Sequence, residues 1–267
     1  IMERLVGSEM CIRDSREPAR SDYLDSPQDT PLRPERLLDV EAGFKKRGER
    51  WALGATLYNM QYTDQLVVTG QLNDVGNVVR VNVADSYRRG VELEAGLQLT
   101  SALRLDANAT LAQNKIAQFE ETVYDYDGNF DYENIVVHEN TDIALSPNAV
   151  AMGMLTYEAP KDGALAGLSV SLIGKHVGQQ FLDNTSNEGR ALAAYTTLDA
   201  VVRAEHTLPT GQALTLSVFG NNLLDAMYSA TGWTYSYRYG GPESTVTENY
   251  VYPQAGRHGF VTLAVEF

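Results

Sequence analysis

Val91-Glu92-Leu93-Glu94-Ala95-Gly96-Leu97-Gln98-Leu99, the link Thr100-Ser101, and then Leu103-Arg104-Leu105-Asp106-Ala107-Asn108-Ala109-Thr110-Leu111 decide the fold class. In both runs every second residue is apolar, and those between are mostly polar or small. Successive side chains of a β-strand point to opposite faces, so each run makes a strand with one apolar and one polar face. The short link makes the pair an antiparallel hairpin. The same alternation recurs at Leu38, Val40, Ala42 and Phe44, at Leu168, Val170 and Leu172, and at Leu214, Leu216 and Val218. It returns at the chain's end in Val261, Leu263, Val265 and Phe267. No stretch shows a comparable period of 3.6, so the chain is expected to be all-β.

Strands are expected near 36–46, 50–68, 78–99, 102–117, 146–158, 167–180, 193–207, 212–225 and 257–267. Links after the first, third, fifth and seventh are short, and links near 70–77, 118–145, 181–192 and 226–256 are longer. A sandwich has no reason to alternate short and long turns strictly. A transmembrane β-barrel, with short periplasmic turns and long external loops, does. Several segments also exceed the roughly 9–11 residues that cross a bilayer at a tilt. Tyr58, Tyr62 and Tyr157 fall near strand ends, where an aromatic girdle would lie.

Composition removes other classes. The chain has 267 residues and a net charge of −14, which argues against nucleic acid because phosphate repels it. No stretch approaches 18 apolar residues, so no transmembrane helix is expected. Cys11 is the single cysteine, and the four histidines (His138, His176, His206, His258) show no zinc spacing. Neither a Gly-x-Ser-x-Gly, a P-loop nor a His-Glu-x-x-His occurs, and Asp199 and His206 lie too far apart along one strand to touch. No catalytic residue, metal site or cofactor is expected.

Residues 1–15 resemble translated sequencing-adapter read-through and are expected to stand outside the fold as a non-native leader, the alternative being a genuine disordered leader. Residues 16–35 read as the remnant of an external loop and residues 36–267 as the barrel portion. Nine strands with one end outside do not make a complete barrel, which has an even count, so a fragment is expected.

Four stretches in order resemble the C-terminal half of the barrel of a TonB-dependent outer-membrane receptor. They are Val40-Glu41-Ala42-Gly43-Phe44-Lys45 after Pro34-Glu35, the pair Tyr62–Val67 and Asn82–Glu94, Gly220-Asn221-Asn222-Leu223-Leu224-Asp225-Ala226-Met227-Tyr228, and Ala255-Gly256-Arg257 leading to Phe267. Lys175–Thr185 looks closest to siderophore-type members from Bacteroidetes-like bacteria. The resemblance implies a 22-stranded barrel around an N-terminal plug, in a Gram-negative outer membrane, of which this chain carries about nine strands and no plug. It implies an importer of a scarce iron complex, energised by the TonB complex through the missing plug and not an enzyme. Phe267 would be the signal read by the outer-membrane assembly machinery. Outer-membrane lipid and a small iron chelate would be its other partners.

The residues expected to contact ligand are Trp233, Tyr235, Tyr237, Arg238, Tyr239, Tyr250 and Tyr252, in the last external loop. Aromatics with one arginine can grip a chelate by stacking and charge, and the bland alternative is a loop packing on its neighbours. The acidic stretch 118–145, with Asp125-Tyr126-Asp127-Gly128-Asn129, reads as a solvated loop in preference to a calcium site, because its glycine comes too early for an EF-hand. Glu92, Glu94, Arg104 and Asp106 share one polar face and are expected to pair with each other in a wet interior. Met152 and Met154 are read as lipid-facing or core packing in preference to copper ligands. Alternatives kept open are a passive barrel or adhesin, a same-family importer of cobalamin, copper or glycan, and a secreted acidic sandwich that binds sugars.

Overall fold

The computed structural model describes residues 4–25, 31–73, 75–126 and 132–266. In chain order the elements are β1 (Arg4–Arg16), α1 (Arg20–Asp25), β2 (Glu35–Arg47), β3 (Trp51–Leu72), β4 (Val78–Gln98), β5 (Leu103–Asp125), β6 (Tyr132–Asp142), β7 (Ala149–Glu158) and β8 (Leu168–Val177). They continue with β9 (Gln180–Phe181), β10 (Ala191–Leu192), β11 (Tyr195–Thr207), β12 (Ala213–Asn221), β13 (Ser229–Arg238), β14 (Val246–Pro253) and β15 (His258–Glu266). One antiparallel path runs β1-β2-β3-β4-β5-β7-β8-β11-β12-β15. The sheet is open, with β1 at one edge and β15 at the other. No helix among the described residues is long and apolar enough to cross a membrane.

Each of the nine expected strands is present, in the expected sequential order, and the alternation of side chains sets the register. One row reads Phe44, Ala55, Leu93, Ala109, Ala151, His176 and Thr196 across seven strands. The neighbouring row reads Lys45, Gly54, Glu94, Asn108, Met152, Lys175 and Thr197. A slip of one residue would exchange these faces. The apolar face is bare: Leu57, Leu111 and Leu263 are 62%, 54% and 64% exposed. That is the pattern of a wall that meets lipid on one side. Trp51 and Tyr157 sit on this face at the short-turn end, where a girdle belongs.

Tyr58 and Tyr62 do not join that girdle. Tyr58 pairs with Glu41 and Gly90, and Tyr62 with Leu37 and Ser86, which places both on the polar face. Met152 and Met154 also lie on the polar face, opposite Asn108 and Asp106, so the lipid-facing expectation for them is corrected. Strand parity is the reason, since their neighbours Ala151 and Gly153 take the apolar side. On the polar face Arg104 forms a bidentate pair with Asp106 at 2.7 Å, and Lys45 reaches Glu94 at 3.2 Å.

Arg4–Arg16, expected to stand outside the fold, pairs with β2 over thirteen residues. Residues 16–35 are not all loop, because α1 forms there and Asp22 caps it by accepting from the Ala19 N–H. Arg80 of β4 then holds Asp22 at 3.1 Å.

The buried core lies at the end of the long connections. β3, β4 and β5 overrun the wall there, and Val67, Val83, Ile116, Phe119 and Ile143 cluster among them. Full burial of each such side chain contributes about 1.5–3 kcal/mol. The wall itself carries little core, because its apolar face is left exposed.

Candidate functional site

Three pieces build the long-loop end. The first is the segment between β8 and β11, residues 178–194, which the sequence analysis treated as a connection. Its centre is a buried latch: Leu182, Asp183 and Asn184 are 1%, 3% and 0% exposed. Asn184 donates to the Val68 carbonyl at 2.6 Å and accepts from the Ala144 N–H at 2.8 Å, tying β3 to the strand connection after β6. Asp183 accepts from both the backbone and the hydroxyl of Thr185. The turn closes on a short helical turn, Glu188–Arg190, capped by the Asn187 side chain.

Arg190 is the hub. One guanidinium nitrogen donates at 2.6 Å to Glu121 of β5 and at 2.6 Å to Asp183, and the other donates at 2.6 Å to Ser236 of β13. Glu121 is shared with His138 of β6 at 2.9 Å. Burial opposes the Arg190 charge, but Asp183 and Glu121 outweigh it and hold the guanidinium pKa above its ordinary value. Sequence reasoning missed this residue altogether. Its partners lie 69, 7 and 46 positions away, and no local pattern links them.

The second piece is the extended hairpin of β5 and β6. Its acids are not all solvated, which corrects the loop reading. Glu121 joins the Arg190 cluster, Asp142 takes Lys115 at 2.9 Å, and Asp125 accepts from the Gly240 and Gly241 N–H groups at 2.7 and 2.9 Å. Gly241, at φ 112°, takes a conformation that a side chain would strain. Asp127, Gly128 and Asn129 of the calcium-like stretch lie outside the described residues.

The third piece is the β13–β14 hairpin. Trp233, Tyr235 and Tyr237 alternate with Thr234 and Ser236, so a strand signal was present in the sequence within a stretch read as loop. Thr234 and Ser236 are buried at 1% and 5%: Thr234 donates to Asn249 of β14 at 2.7 Å, and Ser236 meets Arg190 at 2.6 Å and Thr247 of β14 at 2.8 Å. The other side of the hairpin carries the rings. Trp233 stacks on Tyr250 with centroids 4.3 Å apart and planes at 8°, and Tyr235 lies parallel beside both. Tyr237 continues the ladder to Tyr239 and Tyr126 in edge contacts. Glu248, opposite Tyr235 on the same side of the hairpin, accepts at the tips of the rings from Tyr250 Oη at 2.5 Å and Tyr237 Oη at 3.2 Å. The bond from Tyr250 is the main reason the Glu248 carboxyl titrates below its ordinary value. The same bond pushes the Tyr250 phenol up to about 12.

Of the residues expected to contact ligand, the structure therefore brings together Trp233, Tyr235, Tyr237, Tyr239 and Tyr250. Tyr252 follows on the same side of β14 and is 55% exposed. Arg238 is not among them. Strand parity turns it to the opposite side, where it donates to the Thr245 hydroxyl at 3.0 Å. Phe267 lies outside the described residues.

Gly220–Tyr228 has a structural explanation. Asn222 and Asp225 adopt positive φ, and their side chains lock the exit from β12. Asn222 bonds Ala226 and Ala255, and Asp225 accepts from the Arg257 N–H at 2.7 Å. Tyr228 then stacks on Tyr195 at 4.1 Å.

A family model described as TonB dependent receptor-like, beta-barrel, matches residues 16–223. The chain belongs to this family. Solved structures of similar fold include the ferric yersiniabactin uptake receptor FyuA from Yersinia pestis, 20% identical, with a TM-score of 0.59 over 89% of this chain and 31% of that one. The siderophore receptor PiuA from Acinetobacter baumannii is 20% identical, with a TM-score of 0.58 over 88% of this chain and 28% of that one. The copper transporter OprC is 18% identical, with a TM-score of 0.67 over 99% of this chain and 37% of that one. The chain spans about a third of the length of these solved structures. No curated protein sequence matches it.

Proposed function

We propose that this barrel portion works within an outer-membrane importer of a Gram-negative bacterium that takes up a scarce iron complex, siderophore-type, with energy from the TonB complex. The apolar face would meet outer-membrane lipid, the polar face would line the passage, and Phe267 would serve the assembly machinery. Energy coupling would run through a plug carried by the rest of the barrel protein. The observation that supports this reading best is the ring ladder of β13 and β14, mounted at the long-loop end on a buried ionic latch. A rigid aromatic surface binds at low entropic cost, because two-torsion side chains already stacked lose little freedom on contact. The chemistry asked of it is capture and release, with no bond made or broken.

The test is uptake of radiolabelled iron in iron-starved cells that carry or lack the complete gene, with and without a proton gradient. Gradient-dependent uptake lost on deletion supports the reading. Uptake that persists when the gradient is collapsed points to a passive barrel and overturns it.

A further inference from the structure

The ring ladder holds an unneutralised carboxylate among its hydroxyls. Glu248 is half-buried, both its oxygens are held by tyrosine hydroxyls, and it forms no ion pair among the described residues. Neither Arg238 nor Arg190, the arginines that touch this hairpin, neutralises it. Arg238 faces the other way toward Thr245, and Arg190 is consumed by Glu121 and Asp183. A stack of indole and phenol faces with a carboxylate held at the tips of its hydroxyls attracts positive charge twice, through the ring quadrupoles and through the carboxylate. It repels an anion by the same terms.

We infer that Glu248 is a specificity-determining residue that makes the β13–β14 face select neutral or cationic ligands over anionic ones. This deepens the importer proposal and rests on it. A ferric tris-hydroxamate with a pendant ammonium carries a net charge of about +1, its N-acetylated form is neutral, and a ferric tris-catecholate carries about −3. The first matches the site and the last is opposed by it. Tyr237 and Tyr250 act on Glu248 as positioning residues, because their hydroxyls fix the carboxylate and keep it ionised.

The experiment measures binding of those three chelates to the complete receptor in detergent by calorimetry, at low and at physiological salt. The expected order is cationic, neutral, then tris-catecholate, with the cationic form favoured over its neutral twin by about tenfold. Glu248→Gln keeps the shape of the side chain and an acceptor for one of the two hydroxyls, its amide NH2 facing the oxygen of the other, and is expected to bring that ratio close to one. Tyr250→Phe keeps the carboxylate and the ring but removes one hydroxyl that fixes Glu248, and is expected to weaken the preference without abolishing it; heat-modifiable gel migration verifies that both variants fold. Tightest binding by the tris-catecholate, or an unchanged ratio in Glu248→Gln, overturns the inference and leaves the importer reading standing. Failure of all three chelates to bind overturns the importer reading itself and the inference with it.

Discussion

Arg190 and Glu121, 69 residues apart, meet at 2.6 Å in a pocket where the arginine side chain is 6% exposed. The same arginine nitrogen holds Asp183, and its other terminal nitrogen holds Ser236, so one side chain joins β5, the 178–194 segment and β13. The aromatic face is therefore carried on an ionic joint.

Removing the centre of that joint strands two buried carboxylates. Arg190→Met is expected to cost about 3–5 kcal/mol, the penalty of breaking a buried pair by deleting one partner. The loss falls on the long-loop end: amides of residues 180–192 and of β13 should exchange faster, while those of β7, β8 and β11 stay protected. Arg190→Lys keeps the charge but not the fork, and should fall between.

Asn184 tests the latch without changing charge. It is fully buried and makes one bond as donor and one as acceptor. Asn184→Ala leaves the Val68 carbonyl and the Ala144 N–H unsatisfied, at about 1–3 kcal/mol for each group left unpaired. Protease cleavage within residues 178–194 should appear in the variant and not in the parent.

The membrane orientation is checked by a matched pair of substitutions on neighbouring residues. Leu93 lies on the apolar face and Glu92 on the polar face of β4. Leu93→Arg is expected to destabilise the barrel by about 2–4 kcal/mol, the cost of arginine on a lipid face near mid-membrane. Glu92→Arg should change stability little. Denaturant midpoints in lipid vesicles give the comparison, and equal effects would refute the assignment of faces.

The Glu248–Tyr250 bond sets a pH window. Tyr250 is raised from 10.0 to about 12, so its contribution is full below pH 10.0 and is lost as pH rises through about 12. Glu248 is lowered from 4.5, so its contribution is full above pH 4.5 and is lost as pH falls through the folded value. The near-ultraviolet signal of the Trp233–Tyr250 stack should hold constant between those limits. Tyr250→Phe should lessen the alkaline loss, with Tyr235 and Tyr237, also held above the ordinary phenol value, supplying the remainder.

Gly90 is where the polar wall is closest. A Cβ there would press on the Leu111 carbonyl oxygen and stand 2.8 Å from Tyr58 Oη. Gly90→Val is expected to weaken the β4–β5 pairing by about 1–3 kcal/mol, as overpacking does. Lower-temperature unfolding on a heat-modifiability gel is the readout.

The sequence by itself determined the wall. Strand alternation is local, so Leu93 beside Glu94 and Leu216 beside Ser217 already state which residues share a face, and the turn lengths state the order of the strands. Even the β13 strand was written in Trp233, Tyr235 and Tyr237, although its rings drew attention away from Thr234 and Ser236 between them. Only the tertiary structure decided the long-loop end. Arg238 could be placed beside the rings or away from them until the parity of β13 was known, and Arg190 carried no local signal at all. Long-range ionic and amide contacts depend on where distant segments are brought together in space, whereas the facing of a strand depends on its neighbours in the chain. The wall was therefore legible residue by residue, and the joint that holds the candidate site was not.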